Sequence, residues 1–532
     1  MTACRDFELP GRSEAVGANG MVATSHPQAT LAALDVLRAG GNAIDAAVCA
    51  AAVQAVVEPT QTGIGGDCFA LFMREGEATP TALNGSGWAP EAANLDWYLD
   101  RRMAEIEVES PHSVTVPGAL AAWEKLVLDH GRLPWGRVLT PAIEAAEEGS
   151  CLPERLARDW GKQVGKLTRN PAAARLFLFD GEAPRAGIIH RQPALAQTLR
   201  EIAVAGAKAF YTGHLAEKLV ATLRERGGLH RLEDFADFGP EYVTAISTNY
   251  RGYDLWECPP NGQGVVPMLM AKALEGFDLS NWQSVSVERF HVMAEIARQA
   301  YAERDLFVAD PRTGKVPVDW LLSDAHIRHL RRNVSLTGRI LNLETVLQRP
   351  HRDTVFISVV DRDRMAVSLI NSVFEDFGSG IACEKTGVLF HNRASSFVLE
   401  AGHPNCIAGR KRPMHTIIPA MLTRNGQAVM PFGVTGAHFQ PFGQVQILTN
   451  IVDYGMSVQG AIDHPRMFAR DDTFEIERSV PEEVMLGLGK LGHRVTRPEN
   501  PLGTAQAIWI DRKLGVLRGG ADGRRDGIAL GY

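Results

Sequence analysis

Apolar positions along the chain change period more than once, and each change marks a different kind of element. From Ser25 to about Pro59 the spacing predicts two short helices: Pro27 opens the first, Leu31, Leu34 and Leu37 give it one apolar stripe, and Gly40-Gly41 ends it. Asn42 is placed to cap the second, AIDAAVCAAAVQAVV. Its alanines and valines leave hardly any polar face, so it is expected to be packed on nearly every side in a central layer. The stretch TGIGGDCFALFMREGEATPTALNGSGWAP reads as a glycine-rich turn feeding a hairpin. A largely helical region with few strand signals is expected from about Leu120 to Thr345, with RLPWGRVLTPAIEAAEEG and ERFHVMAEIARQAYAERD as amphipathic helices.

Beyond Asp353 the period becomes two. TVFISVVDRDRMAVSLINSVF is alternating and β-branched, which predicts paired, half-buried strands with a tight turn at Asp361–Arg364. Immediately before it, NLETVLQRPHRD is polar, contains proline and has no period, so residues 340–353 read as a flexible linker that ends where a core strand begins. Helical layers around alternating strands make this an α+β chain, and the absence of repeats or heptads sets solenoids and coiled coils aside.

Composition narrows the function. With 532 residues, 45% hydrophobic and 22% charged, the chain can build a large core, and a net charge of −7 offers no basic field for nucleic acid or an anionic membrane. The N-terminus lacks a secretory-signal pattern and no window of about 18 uncharged apolar residues occurs, so a soluble cytoplasmic protein is expected. Cys4, Cys49, Cys68, Cys151, Cys258, Cys383 and Cys406 are odd in number and without a C-x-x-C pair, and are expected to be reduced, buried small hydrophobes. The 16 histidines include no H-x-x-x-H or H-E-x-x-H spacing, and no metal or cofactor is expected.

Thr354 stands at the junction of linker and strand. A threonine there is usually a strand residue, but its surroundings carry more. The blocks GMVATSHPQAT, LRAGGNAIDAA, TVPGALAAWEK, YRGYDLWECPPNGQG, DTVFISVVD, FGSGI, TGVLFHN, KRPMHTIIPA, FGVTGAHFQ, VDYGMSVQGAIDHPR and GIALGY follow one another in the order found in the γ-glutamyltransferase family. From about Gly20 to Tyr532 the chain resembles that family of N-terminal-nucleophile hydrolases.

The resemblance implies a four-layer αββα sandwich built from two autoprocessed chains, 1–353 and 354–532, that stay associated, with a homodimer of heterodimers as the assembly to test. It implies that Thr354 cuts the Asp353–Thr354 bond by an N-to-O acyl shift and ester hydrolysis, and then attacks substrate. A freed N-terminal threonine supplies both nucleophile and base, because its α-amine has an ordinary pKa of about 7.7–8.0. The hydroxyl that orients the nucleophile falls on Ser372, and the backbone N–H pair of the oxyanion hole falls on Gly436 and Ala437. Gly63, Gly65 and Gly66 match a family glycine run near the site, without the spacing or lysine of a phosphate loop.

The pocket departs from the family pattern. The arginine that clasps the γ-glutamyl α-carboxylate falls at Ser86, an asparagine becomes Phe374, a glutamine Arg393, the aspartate that pairs with the α-ammonium Ser396, and two serines His415 and Thr416. A lost acid and a gained arginine suit an anionic acyl group without an ammonium. Arg393 is the candidate carboxylate holder, with His415 and Thr416 as supporting donors; Arg412, in the shared KRP motif, reads as structural. The segment VLEAGHPNCIAGR is shorter than the family's lid loop, so hydrolysis is expected to exceed transpeptidation. These departures resemble the lidless branch, with its glutathione-hydrolase-like proteins, glutaryl (cephalosporin) acylases and amidohydrolases of dicarboxylic monoamides. The expected substrate is a γ-glutamyl or related carboxylate-bearing acyl amide. The alternatives are a true glutathione hydrolase or transpeptidase with a rebuilt pocket, and an unprocessed non-catalytic binding protein.

Overall fold

The computed structural model describes residues 8, 11–341, 343, 354–470 and 472–532. Asp353 and most of the expected linker lie outside the described residues. Among the described residues, no helix is long and apolar enough to cross a membrane.

Two seven-stranded sheets form the centre. Their strands, in chain order, are β1 (Ala15–Gly17), β2 (Met21–Thr24), β3 (Asp67–Met73), β4 (Thr81–Gly85), β5 (Glu241–Thr244), β6 (Ile246–Tyr250), β7 (Tyr253–Glu257), β8 (Val355–Val360), β9 (Ala366–Ser372), β10 (Ala420–Arg424), β11 (Gln427–Val434), β12 (Ala505–Asp511), β13 (Val516–Ala521) and β14 (Ile528–Gly531). The first sheet runs β14-β2-β8-β9-β3-β4-β5 and the second β1-β13-β12-β11-β10-β7-β6, with antiparallel neighbours throughout.

The expected hairpins are present. Strands β8 and β9 pair from Val355↔Asn371 to Val360↔Ala366, and the turn between them carries Arg364 at φ 61°. They are not half-buried, however, because every residue of both is buried. Phe356, Val360, Ala366 and Ile370 pack against Met421, Ile508 and Leu517 of the second sheet, while Ile357, Val359, Val367 and Leu369 face the helices. Apolar residues on both faces of a central strand follow from a sheet covered on both sides.

The helical covers are equally specific. Helix α1 (Pro27–Arg38) and helix α2 (Ala43–Val57) form where predicted, but of the expected α1 stripe only Leu34 and Leu37 are buried, with Ala33 and Val36, while Leu31 is exposed; Asn42 and Asp45 close a capping box on α2. All fifteen residues of α2 are buried, with α3 (Ala119–His130) and α4 (Trp135–Glu148) in the same core. Helices α5 (Val265–Leu274), α6 (Val287–Phe307) and α7 (Gln440–Val452) cover the second sheet. Helix α4 has the expected buried and exposed faces, but α6 is buried on every side from Arg289 to Tyr301 and is not amphipathic there.

The region from Leu120 to Thr345 also holds β5, β6 and β7, which the periodicity did not predict. β5 and β6 are the outer edges of the two sheets, so their outward residues stay polar and the apolar signal is thin. Cys49, Cys68, Cys258 and Cys383 are free and buried as expected, whereas Cys406 is only partly covered and Cys151 is exposed; Cys4 lies outside the described residues.

Candidate active site

Thr354 directly precedes β8 and is 2% exposed. The β8–β9 register sets it opposite Ser372, and the two hydroxyl oxygens are 3.1 Å apart. The Ser372 hydroxyl also accepts the Phe374 N–H at 2.8 Å, so it bridges the threonine and the chain leaving β9. Phe374 sits at φ 79°, a left-handed conformation that is costly for an aromatic residue and is held here by that bond.

The backbone N–H of Thr354 donates to Gln61 Oε1 at 3.3 Å, and Gln61 Nε2 donates to Thr60 Oγ1 and Asp376 Oδ1, each at 3.2 Å. Sequence reasoning did not single out Gln61; the available signal was its place two residues before the glycine run. That run packs against the end of β9. A Cβ on Gly66 would stand 2.3 Å from the Ser372 carbonyl oxygen, and one on Gly65 2.1 Å from that of Leu389, so neither position admits a side chain.

Strand β11 crosses β8 at Gly433, where a Cβ would meet the Phe356 ring at 2.4 Å. Beyond it the chain turns through Gly436 at φ 111° and Ala437 at φ 48°, the latter within reach of an L-residue. Gln263 Nε2 donates to the carbonyls of Thr416 at 2.8 Å and Ala437 at 3.0 Å, fixing this turn to the pocket wall.

Arg393 is wholly buried. Its guanidinium lies 3.8 Å from the Phe374 ring centroid, and Nη1 donates to Thr416 Oγ1 at 2.8 Å. Nε and Nη2 find no hydrogen-bond partner among the described residues, and neither do the nearby buried Asn392 Nδ2 and Ser396 Oγ. Burial pulls the guanidinium down to about 9, with Asp67 and Glu375 opposing, so it is still charged at neutral pH.

His415 is occupied elsewhere. Its Nδ1 accepts the Ile417 N–H at 3.3 Å, so Nε2 carries the proton and donates to Asp67 Oδ2 at 3.0 Å. Of the two residues expected to support Arg393, only Thr416 has a hydrogen bond to it. Asp67 is saturated: Oδ1 accepts the N–H groups of Gly87 at 3.0 Å and Gly118 at 3.2 Å, and His391 Nδ1 lies 3.4 Å from Oδ2. Burial alone would push this carboxyl up, but His391 and His415 hold it well below the usual carboxylate range. Burial, and then the charge on Arg393, lowers His415 to about 3, so its ring is neutral.

The sequence matches the gamma-glutamyltranspeptidase family model over residues 29–532. The chain belongs to the γ-glutamyltranspeptidase family. The "Glutathione hydrolase-like YwrD proenzyme" of Bacillus subtilis is 34% identical over 526 residues, covering 97% of this chain and 99% of the relative. The "Oxamate amidohydrolase proenzyme" of Klebsiella pneumoniae is 32% identical over 98% of this chain and 100% of its own length. A crystal structure of a cephalosporin acylase from Bacillus halodurans superposes with a TM-score of 0.92 at 35% identity, covering 100% of this chain and 99% of that one.

As a member of the γ-glutamyltranspeptidase family the protein is an enzyme of the amidohydrolase and transpeptidase type, and its paired antiparallel sheets fit the N-terminal-nucleophile hydrolase sandwich. At Ser86 there is only a small buried hydroxyl, accepting from Asn261 Nδ2 at 3.1 Å. Arg412 lies against that segment, donating from Nε to the Ser86 carbonyl at 3.0 Å and from Nη1 to Glu241.

Proposed function

We propose that this enzyme cuts its own Asp353–Thr354 bond, giving chains 1–353 and 354–532, and then hydrolyses amides whose acyl part ends in a carboxylate. Thr354 Oγ1 attacks the amide carbonyl as the freed α-amine of Thr354 takes the hydroxyl proton and passes it to the leaving amine. The acyl-Thr354 ester is then hydrolysed by water. Ser372 orients Oγ1, and the N–H groups of Gly436 and Ala437 receive the oxyanion. Residues 340–353 are the linker before the cut. The Thr354–Ser372 contact of 3.1 Å supports the first step, as does the word "proenzyme" in the names of both relatives.

The observation that carries the substrate reading is Arg393. A buried cation with two unpartnered N–H edges is expensive unless an anion completes it, and a carboxylate matches the guanidinium fork. Phe374 gives the guanidinium a flat platform and Thr416 fixes its angle. An α-ammonium is poorly served. Asp67 is filled, Glu375 lies 3.7 Å from Lys166 Nζ, and Asp376 accepts from Gln61 and Gln163. Glutaryl-type or shorter dicarboxylic monoamides therefore fit better than γ-glutamyl compounds, and oxamate, which gives the amidohydrolase relative its name, is itself a dicarboxylic monoamide.

The test is a comparison of glutaryl and γ-glutamyl p-nitroanilides, which differ only in the α-amino group. The proposal expects higher kcat/KM on the glutaryl compound, and hydrolysis little changed by added acceptor peptide. A preference for the γ-glutamyl compound with transfer to the acceptor favours the glutathione hydrolase or transpeptidase alternative.

A further inference from the structure

A cluster of buried side chains of the metal-ligating types shares no residue with the Thr354 site. Helix α6 carries His291 and Glu295 one turn apart on one face, and His493 approaches them from 202 residues away in sequence from His291. His291 Nδ1 and His493 Nε2 are 2.7 Å apart, Glu295 Oε1 is 4.0 Å from His493 Nε2, and the three ligand atoms all lie within 4.8 Å of one another. All three residues are buried.

The surroundings orient these atoms. His291 Nε2–H donates to the Ser335 carbonyl at 2.6 Å, which leaves the Nδ1 lone pair facing His493 and Glu295. Imidazoles that ligate metals characteristically make such a bond from their other nitrogen. Glu295 is fixed by Arg298 Nη1 on Oε1 at 3.0 Å and by the Ile340 N–H on Oε2. Each carboxylate oxygen keeps a second lone pair, so Oε1 can bind an ion without releasing Arg298.

We propose that His291 Nδ1, Glu295 Oε1 and His493 Nε2 form a divalent metal site of the zinc class, with water in the fourth position. Two imidazoles and one carboxylate suit zinc better than magnesium or calcium, which prefer all-oxygen shells. Bonds of about 2.0–2.1 Å at tetrahedral angles need the two nitrogens about 3.3 Å apart, a small opening of the present contact. The ligands come from both sides of the Asp353–Thr354 bond, and they hold Ser335, just before the linker, and Ile340, its first residue. The ion would clamp the end of the large chain to the small one. The expectation of no metal rested on histidine pairs; an H-x-x-x-E turn completed by a distant histidine escapes that search.

The experiment is a titration of the EDTA-treated full-length protein with Co²⁺, read by visible absorption, and with Zn²⁺, read by calorimetry. One equivalent of Co²⁺ should give the intense visible bands of tetrahedral cobalt, and Zn²⁺ should remove them. Glu295→Gln, which preserves shape, and His493→Ala should each weaken Zn²⁺ binding more than about 10-fold, the loss that even an outer-shell partner brings. Should His493→Ala fail to fold, Glu295→Gln decides alone. The absence of a tetrahedral spectrum in the parent protein, or unchanged Zn²⁺ affinity in Glu295→Gln, overturns the proposal and leaves a hydrogen-bonded histidine pair.

Discussion

Thr354 and Arg393 occupy sites of opposite character, and single substitutions separate them. Thr354→Ala is expected to abolish both chain cleavage and amide hydrolysis, with activity down by at least about 10³-fold, because nucleophile and base belong to one residue. Gel analysis and a p-nitroanilide assay check it. Arg393→Met should raise KM for the glutaryl anilide about 10- to 100-fold, the worth of a charged hydrogen-bonded pair. The same change should leave the melting temperature unchanged or raise it, since it removes a buried charge with two N–H groups left unpaired. A fall in melting temperature without a change in KM would make Arg393 a structural residue. Motif order in the sequence singled out Thr354 and Ser372, whose hydroxyls the structure brings into contact, and Arg393, which it buries against Phe374. Gln61 and the Asp67–His415 pair were not singled out, because side-chain contacts between residues far apart in sequence have no local pattern.

The strand pair β8–β9 and the glycine run behind it act as one element. The register sets Thr354 opposite Ser372, and the missing side chains of Gly66 and Gly65 let the run lie against the end of β9 and against Leu389, respectively. Gly66→Ala should displace the Ser372 carbonyl, lower stability by about 1–3 kcal/mol as overpacking does, and slow cleavage. Thermal unfolding and the rate of appearance of the small chain test this, and parent-like values of both would contradict it. Periodicity revealed the β8–β9 hairpin because both strands are apolar and β-branched. It missed the edge strands β5 and β6 and β7 beside β6, and misjudged α6, whose polar residues are buried in hydrogen bonds, such as Arg289 to Thr449 and Asn450.

At the scale of the whole molecule, the two sheets and their covers keep many polar groups from water, and the buried histidines make stability depend on pH. Burial lowers His26 to about 4 and His230, His415 and His464 to about 3. The unfolded chain binds protons at these groups near pH 6.5 and the native one does not, so stability falls as pH drops from about 6.5 towards 3–4. Each fully shifted histidine can cost up to about 2 kcal/mol at pH 5. Melting temperatures measured between pH 7.5 and 5 should decline steadily; a flat profile would contradict this. The layered α+β organisation was readable from the changes of period, whereas the stacking of the two sheets depends on which apolar face meets which, and no single segment records that.

The account's central claim is the cut at Thr354, and intact-mass spectrometry with N-terminal sequencing of the purified protein tests it most directly. The claim predicts that the 57.9 kDa chain is replaced by two chains, the smaller beginning Thr-Val-Phe-Ile-Ser. An active protein that remains one chain, or one cut at another bond, would contradict it.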